Sequence, residues 1–303
     1  KSIRHLVLMS VKTKLMDSAL RSTQGNSGTS VTLDRYAAQQ SKESRTISPD
    51  SSQSCFVQVF HQLYGRVAPR NLRKSDRVFD AGWRGGLGEG GVDAGGPYRE
   101  ALTTVCTDLF CEDQLDLFIR SPNGKDEVGE TRDRFVPNPE YTSPQAIKMY
   151  EFCGMWMGIS FRTKASLPFQ LPSMLWKTLV GQTTDLSDVG EIDFDCVQRL
   201  KRIRTCGAKI GNDEHGSARK GGEETEPRSS SKKSTTILSE AAENEFSAVW
   251  EGLVFNTRRS DGSLVDLIPG GSGIEVFYQR RNEYANAVEN FRVHEFDQQF
   301  AAI

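Results

Sequence analysis

Apolar residues recur at helical spacing in several stretches of this chain, alternate in others, and nearly vanish in two. Over residues 1–22, Ile3, Leu6, Val7, Met9, Leu15 and Leu20 form one stripe, which predicts an amphipathic helix. Residues 23–53 are rich in Ser, Thr, Gln and Gly and read as a polar linker or long surface loop. The apolar pattern resumes from Cys55 to Tyr64 as a short helix, and Arg77 to Trp83 reads as a strand. A helix is predicted from Pro97 to Phe110, since proline suits the first helical position, where its missing N–H has no partner to lose. Ala101, Leu102, Val105 and Leu109 share one face of that helix. The segment DLFIRSPNG predicts a strand ending in a turn. Ser143 as cap and Pro144 as first residue start a further helix. From Met149 to Phe161 that helix is apolar on nearly every side, as expected of a helix buried in mid-domain. Gly154 and Gly158, four apart, would let another element approach it closely.

In the second half, a short helix punctuated by Pro168 and Pro172 precedes a helix over residues 185–204, with Val197, Leu200 and Ile203 in its stripe. Residues 207–236 hold too few apolar residues to offset their ordering entropy, so they read as a disordered insertion inside a domain. A helix from Glu240 to Trp250 follows. Three strands are then predicted, Leu253–Thr257, Leu264–Ile268 and Ile274–Tyr278, with turns at Ser260-Asp261-Gly262 and Gly270–Gly273. The chain closes on a helix over 281–303 carrying Tyr284, Val288, Phe291, Phe296 and Phe300. No internal repeat is present, and the element order predicts an α+β fold that is mainly helical, with a small α/β-hairpin subdomain.

Composition narrows the function classes. The 303 residues carry a net charge of −2, which argues against nucleic-acid binding, because that needs a basic surface. No run of roughly 18 apolar residues predicts a membrane span, and residues 1–20 lack the pattern of a signal peptide. The six cysteines form no C-x-x-C pair, and the four histidines do not cluster with them. No metal site and no cofactor are expected, and the thiols read as reduced, in a cytoplasmic or nuclear protein.

The stretch GEGGVDAGGPYRE raises one chemical question. Gly86, Gly88 and Gly91 match the dinucleotide pattern G-x-G-x-x-G, but Glu89 lies inside the loop and Asp93 follows it, where a phosphate site wants no competing negative charge. No Walker lysine is present. The alternative is structural: Gly95 and Gly96 free the backbone to turn from strand into helix. Asp93, Arg99 and Glu100 would then be partly buried charges, Asp93 paired with Arg99.

The same stretch resembles the strand-to-helix signature of HECT-type ubiquitin ligases, of the form G-E-x-x-x-D-x-G-G-x-x-R-E. KMYEFCGMWMGISFRTKASLPFQLPSMLWKTLVGQ resembles that family's central helix and the L-P-x-x-x-W-K segment after it. DLSDVGEID resembles the next turn and helix, and LVDLIPGGSGIEV followed by NEY the hairpin and final helix of the family's N-terminal lobe. The blocks keep the family's order, and their wording is nearest to its very large HERC-type members. The resemblance implies an N-lobe: a helix over 1–22, a polar linker over 23–53, and a lobe over 54–303. The lobe would divide into a large subdomain (54–186 plus 281–303) and a small one (187–280).

Members of that family take ubiquitin from a conjugating enzyme onto a cysteine of a C-terminal lobe and pass it to a substrate lysine. The resemblance therefore implies ubiquitin, a ubiquitin-conjugating enzyme and a protein substrate as partners. It implies no catalytic residue within this stretch, the nucleophilic cysteine being expected beyond Ile303, so that this chain alone should be inactive. Thr205-Cys206 is the one Thr-Cys pair, but it lacks the surroundings of that lobe. The family's N-lobe receives an aromatic loop of the conjugating enzyme in an apolar groove. Carried over by position, the groove falls on Cys196, Leu200, Ile203, Phe246, Trp250, Tyr284 and Val288. Two departures are visible: the insertion at 207–236 adjoins the groove, and Phe277 and Arg280 stand where the final helix of the family starts with Thr and Asn. Competing expectations are a non-catalytic scaffold that has lost the C-lobe, and a nucleotide-binding protein using Gly86 to Gly91.

Overall fold

The computed structural model describes residues 7–26, 28–85, 96–206 and 231–303, with side chains from residue 240 onward in the last stretch. The chain divides into two compact units. The first comprises Lys1–Arg120, Asp133–Leu175 and Phe296–Ile303, and the second comprises Ser121–Arg132 and Trp176–Glu295. As the element order predicts, the class is α+β: helices dominate, and the described strands pair two by two.

In the first unit, helix α1 (Met9–Ser22) buries none of its side chains. The polar stretch 23–53 holds more structure than a linker: strand β1 (Ser30–Asp34) and helix α2 (Arg35–Glu43). Strand β1 pairs in parallel with β2 (Asp80–Arg84), from Ser30 opposite Asp80 to Asp34 opposite Arg84. Only Val31 and Leu33 need to be apolar for the inward face of so short a strand, and both are buried. Its other edge is satisfied by two side chains of helix α3 (Cys55–Leu63). Gln62 accepts from Thr32 N (2.9 Å) and donates to Thr32 O (2.8 Å), and Gln58 does the same for Asp34 at 2.7 and 2.9 Å. The two glutamines are four apart, on one helix face, and so act as a substitute strand.

Helix α4 (Gly96–Leu109) and helix α6 (Pro144–Thr163) supply much of the remaining core, and α6 starts on the predicted Ser143 cap, which accepts from Ala146 N at 3.2 Å. Phe56, Phe60, Phe79, Tyr98, Phe152 and Trp156 form a chain of ring contacts with centroids 5.0 to 5.9 Å apart. Antiparallel β3 (Phe118–Arg120) and β4 (Phe135–Pro137) complete the unit with helix α12 (Asp297–Ala302), which lies along α6. Gly154 permits that contact: a Cβ there would sit 2.0 Å from the carbonyl oxygen of Ile303.

The second unit contains helices α5 (Pro122–Lys125), α8 (Leu186–Ile192), α9 (Phe194–Thr205), α10 (Ser231–Val249) and α11 (Arg281–His294), and the hairpin β5–β6 (Asn256–Arg258, Leu264–Asp266). The boundary between units falls within helix α7 (Ser173–Leu179). Residues 185–204 form two helices rather than one, because Asp193 ends α8 and caps α9, accepting from Cys196 N at 2.9 Å. The third predicted strand is reduced to a single bridge, Val254 to Glu275. The final helix breaks into α11 and α12. Of the predicted insertion, 207–230 lie outside the described residues, while 231–236 begin α10.

Candidate docking site

The second unit is built on a single apolar cluster of Leu200, Ile203, Phe246, Phe255, Val276, Tyr284, Ala285 and Val288. Helix α9 presents Leu200 and Ile203, α10 presents Phe246, and α11 presents Tyr284 and Val288, each placed by its 3.6-residue repeat. Cys196, Trp250 and Tyr278 pack against the cluster while half-buried. All seven residues that the sequence suggests for a groove therefore come together. Five of them, Leu200, Ile203, Phe246, Tyr284 and Val288, are at most 1% exposed. They form a sealed core, and Cys196 and Trp250 alone of the seven reach the surface. The cluster is lined by aromatic side chains. Phe255 and Tyr284 meet edge-on at 5.8 Å, Phe246 and Tyr278 at 6.2 Å, and the Arg202 guanidinium lies 5.6 Å from the Trp250 ring. Burial pushes the Tyr284 phenol above its usual range, and its hydroxyl donates to Asn256 O at 3.2 Å.

Beneath the cluster lies a buried polar frame that the sequence reading missed. Arg292 is fully buried and pairs with Asp193 at 2.9 Å and with Glu295 at 2.5 Å. Glu295 in turn accepts from Ser260 N (2.7 Å) and Ser260 Oγ (3.1 Å), and Lys125 Nζ donates to Ser260 O at 3.2 Å. Burial raises the Glu295 carboxyl, while Arg292 and Ser260 oppose the rise. Asn123 Nδ2 donates to the carbonyls of Gly190 (3.2 Å) and Glu191 (3.1 Å), and its Oδ1 accepts from Phe194 N at 2.6 Å, fixing the α8–α9 corner. A signal for Arg292 does exist: Tyr284, Val288 and Arg292 lie four apart on one face, and a charge on a buried stripe needs partners. Asp193, Lys125, Cys196 and Arg199, with residues 257–262, line a cleft of about 270 Å³ beside this frame.

The other sequence candidates are dispersed. Asp93 and Gly95, like Gly86, Gly88 and Gly91, lie outside the described residues, and so does the expected Asp93–Arg99 pair. Gly96 opens α4. Arg99 and Glu100 are exposed rather than partly buried, because they face away from the stripe of Ala101, Leu102 and Val105. Glu100 pairs with Arg35 at 2.7 Å.

The thiols lean away from nucleophilic chemistry. Burial pushes Cys55 and Cys106 up to about 12 and Cys196 up to about 11, and raises Cys153 as well. A thioester-forming cysteine needs its pKa lowered instead. Cys206 caps the end of α9 and packs against the apolar cluster. Among the described residues, no helix is long and apolar enough to cross a membrane.

Comparison with known proteins adds the family. The model of the HECT-domain (ubiquitin-transferase) family matches residues 103–303, about two thirds of the chain. The chain belongs to the HECT-domain family. Among its HECT relatives, the E3 ubiquitin-protein ligase HERC2 is 28% identical in Mus musculus and 27% in Homo sapiens, each over 277 residues and 91% of this chain. The E3 ubiquitin-protein ligase TOM1 of Saccharomyces cerevisiae is 30% identical over 113 residues, 37% of this chain and 3% of its own length. The chain spans 5% of the length of the HERC2 proteins it matches. The HECT match takes in the whole of the second unit.

Proposed function

We propose that this HECT-domain stretch docks a ubiquitin-conjugating enzyme on its second unit. In the parent protein, ubiquitin then passes from that enzyme to a cysteine of the ligase and on to a substrate lysine. The observation that carries this reading is the gathering of all seven groove positions on one aromatic cluster, within the span that matches the family. Half-buried Trp250 packs against that cluster, half-exposed Phe277 stands in the chain between its Val276 and Tyr278, and aromatic anchors are the usual hot spots of an interface. Four thiols held above their ordinary range favour docking, rather than thioester formation, as the contribution of this stretch.

The test is to titrate the chain against a panel of ubiquitin-conjugating enzymes, and in parallel to mix it with their ubiquitin-charged forms on non-reducing gels. Binding on the order of micromolar is expected, as for small transient interfaces. Trp250→Arg and Phe277→Ala should weaken it several-fold, and no thiol-sensitive ubiquitin adduct should form on the chain. Failure to bind any enzyme of the panel would refute the reading.

A further inference from the structure

The docking cluster is closed by a helix of the chain itself. Of the side chains described on α10, only Ala242 and Phe246, one turn apart, are buried, while Ala241, Asn244, Ser247 and Ala248 face out. Phe246 is 1% exposed and shares one buried cluster with Leu200 and Ile203 of α9 and Tyr284 and Val288 of α11, its ring edge-on to Tyr278 at 6.2 Å. Besides these, α10 is held by Glu243, which accepts from Tyr278 N at 3.1 Å, and by Trp250 under Arg202. Among the described residues, the same seam leaves two buried polar atoms without a hydrogen-bonding partner, Glu243 Oε2 and Trp250 Nε1. Closure thus loses hydrogen bonds that solvent or a partner could make. Over the residues of α10 whose side chains are described, 240–249, two buried side chains and an incompletely satisfied seam are a thin attachment.

We infer that α10 is a displaceable cover over the docking groove, and that Phe246 occupies the place taken by an aromatic side chain of the conjugating enzyme when it docks. This rests on the docking function proposed above and adds its regulation. The pocket already fits one phenyl ring, so the ring that replaces Phe246 finds the same walls. Affinity then depends on how often α10 lifts, because a binding-competent state populated at a fraction f weakens the apparent affinity by that fraction. Most of a helix's stability in a protein comes from the packing of its apolar face, so α10, although 19 residues long, loses helical order when it lifts.

Two pairs of exposed substitutions test this without touching a groove residue. Ala241→Gly with Ala248→Gly weakens the helix and should tighten binding, by about 4-fold per substitution from the helix-propensity difference. Asn244→Ala with Ser247→Ala strengthens the helix and should weaken binding by roughly 2-fold or more. Hydrogen exchange reads the cover independently of any partner: amides of 242–249 should exchange at least about 10-fold faster than those of 197–203, and faster still in the glycine pair. If the wild-type chain binds but neither pair changes affinity, or the glycine pair binds more weakly, the cover is overturned while docking stands. Equal protection of α10 and α9 would also overturn it. Binding by the glycine pair alone supports both the cover and docking. Absence of binding by every variant removes docking, and the cover with it.

Discussion

Replacing Arg292 by methionine is the sharpest test of how the second unit is held together. The guanidinium is 0% exposed and faces Asp193 at 2.9 Å and Glu295 at 2.5 Å. Methionine keeps much of the volume, so the cavity contribution is small and the loss is mainly electrostatic. Asp193 remains partly solvated and still caps α9, whereas Glu295 is left at 2% exposure with only Ser260 as donor. Removing one partner of a buried pair costs about 3–5 kcal/mol, which sets the expected loss at pH 7. The pH dependence follows from the carboxyl that remains. Burial raises Glu295 already in the wild type, and without Arg292 the main opposing charge is gone. A carboxyl raised in the folded state favours folding below its unfolded pKa, and that advantage is lost as pH rises through the folded pKa. The variant should therefore recover on acidification, its deficit shrinking by roughly 1–3 kcal/mol between pH 7 and pH 5. Denaturant titration read by hydrogen exchange in α9 and α11 isolates this unit from the other. A variant as stable as the wild type at pH 7, or a deficit unchanged from pH 5 to pH 8, would refute the reasoning.

Three further outcomes are expected. Asp108, which accepts from Cys55 N at 2.6 Å, is pushed up to about 6 by burial, so its contribution to the first unit is full near pH 4 and lost as pH rises through 6; Asp108→Asn should flatten thermal stability over that window. Gly154→Ala forces a methyl against Ile303 O and should destabilise by about 1–3 kcal/mol, while Gly158→Ala, with open space around it, should gain up to about 1 kcal/mol, both read by denaturant melts. Alkylation at pH 8, followed by mass spectrometry, should modify the partly exposed Cys111 and Cys206 within the time that the buried Cys55, Cys106 and Cys153 stay intact.

The parts legible in the sequence were those written by local rules. The Ser143-Pro144 start of α6, the apolar stripes of α3 and α4, and the turn at Gly262 with φ +96° each follow from a few neighbouring residues. Strand β1 was hidden because its edge is satisfied by Gln58 and Gln62, whose contribution is tertiary and leaves no period in the chain. The third strand failed for the converse reason: Ile274–Tyr278 has strand-like residues, but it joins the chain just before β5 by a single bridge, Glu275 to Val254. At the candidate site, periodicity found the faces of α9, α10 and α11 but could not say that they turn toward one another and exclude solvent. Arg292 went unread because a lone arginine on a helix looks solvated until its partners, 99 residues upstream and 3 downstream, are brought beside it.

The interleaved path of the chain has a consequence for its synthesis. The second unit draws on two segments and ends at Glu295, while the first draws on three and needs Phe296–Ile303 to finish. As the polypeptide leaves the ribosome from its N-terminus, the unit begun first is completed last. The groove of α6 at Gly154 must wait open until α12 arrives, roughly 140 residues later. A nascent chain stalled shortly after Glu295 would thus hold all the residues of the second unit while the first is still unfinished. Chaperones that bind apolar surface would find their target on α6, and the last eight residues of this stretch would end that exposure.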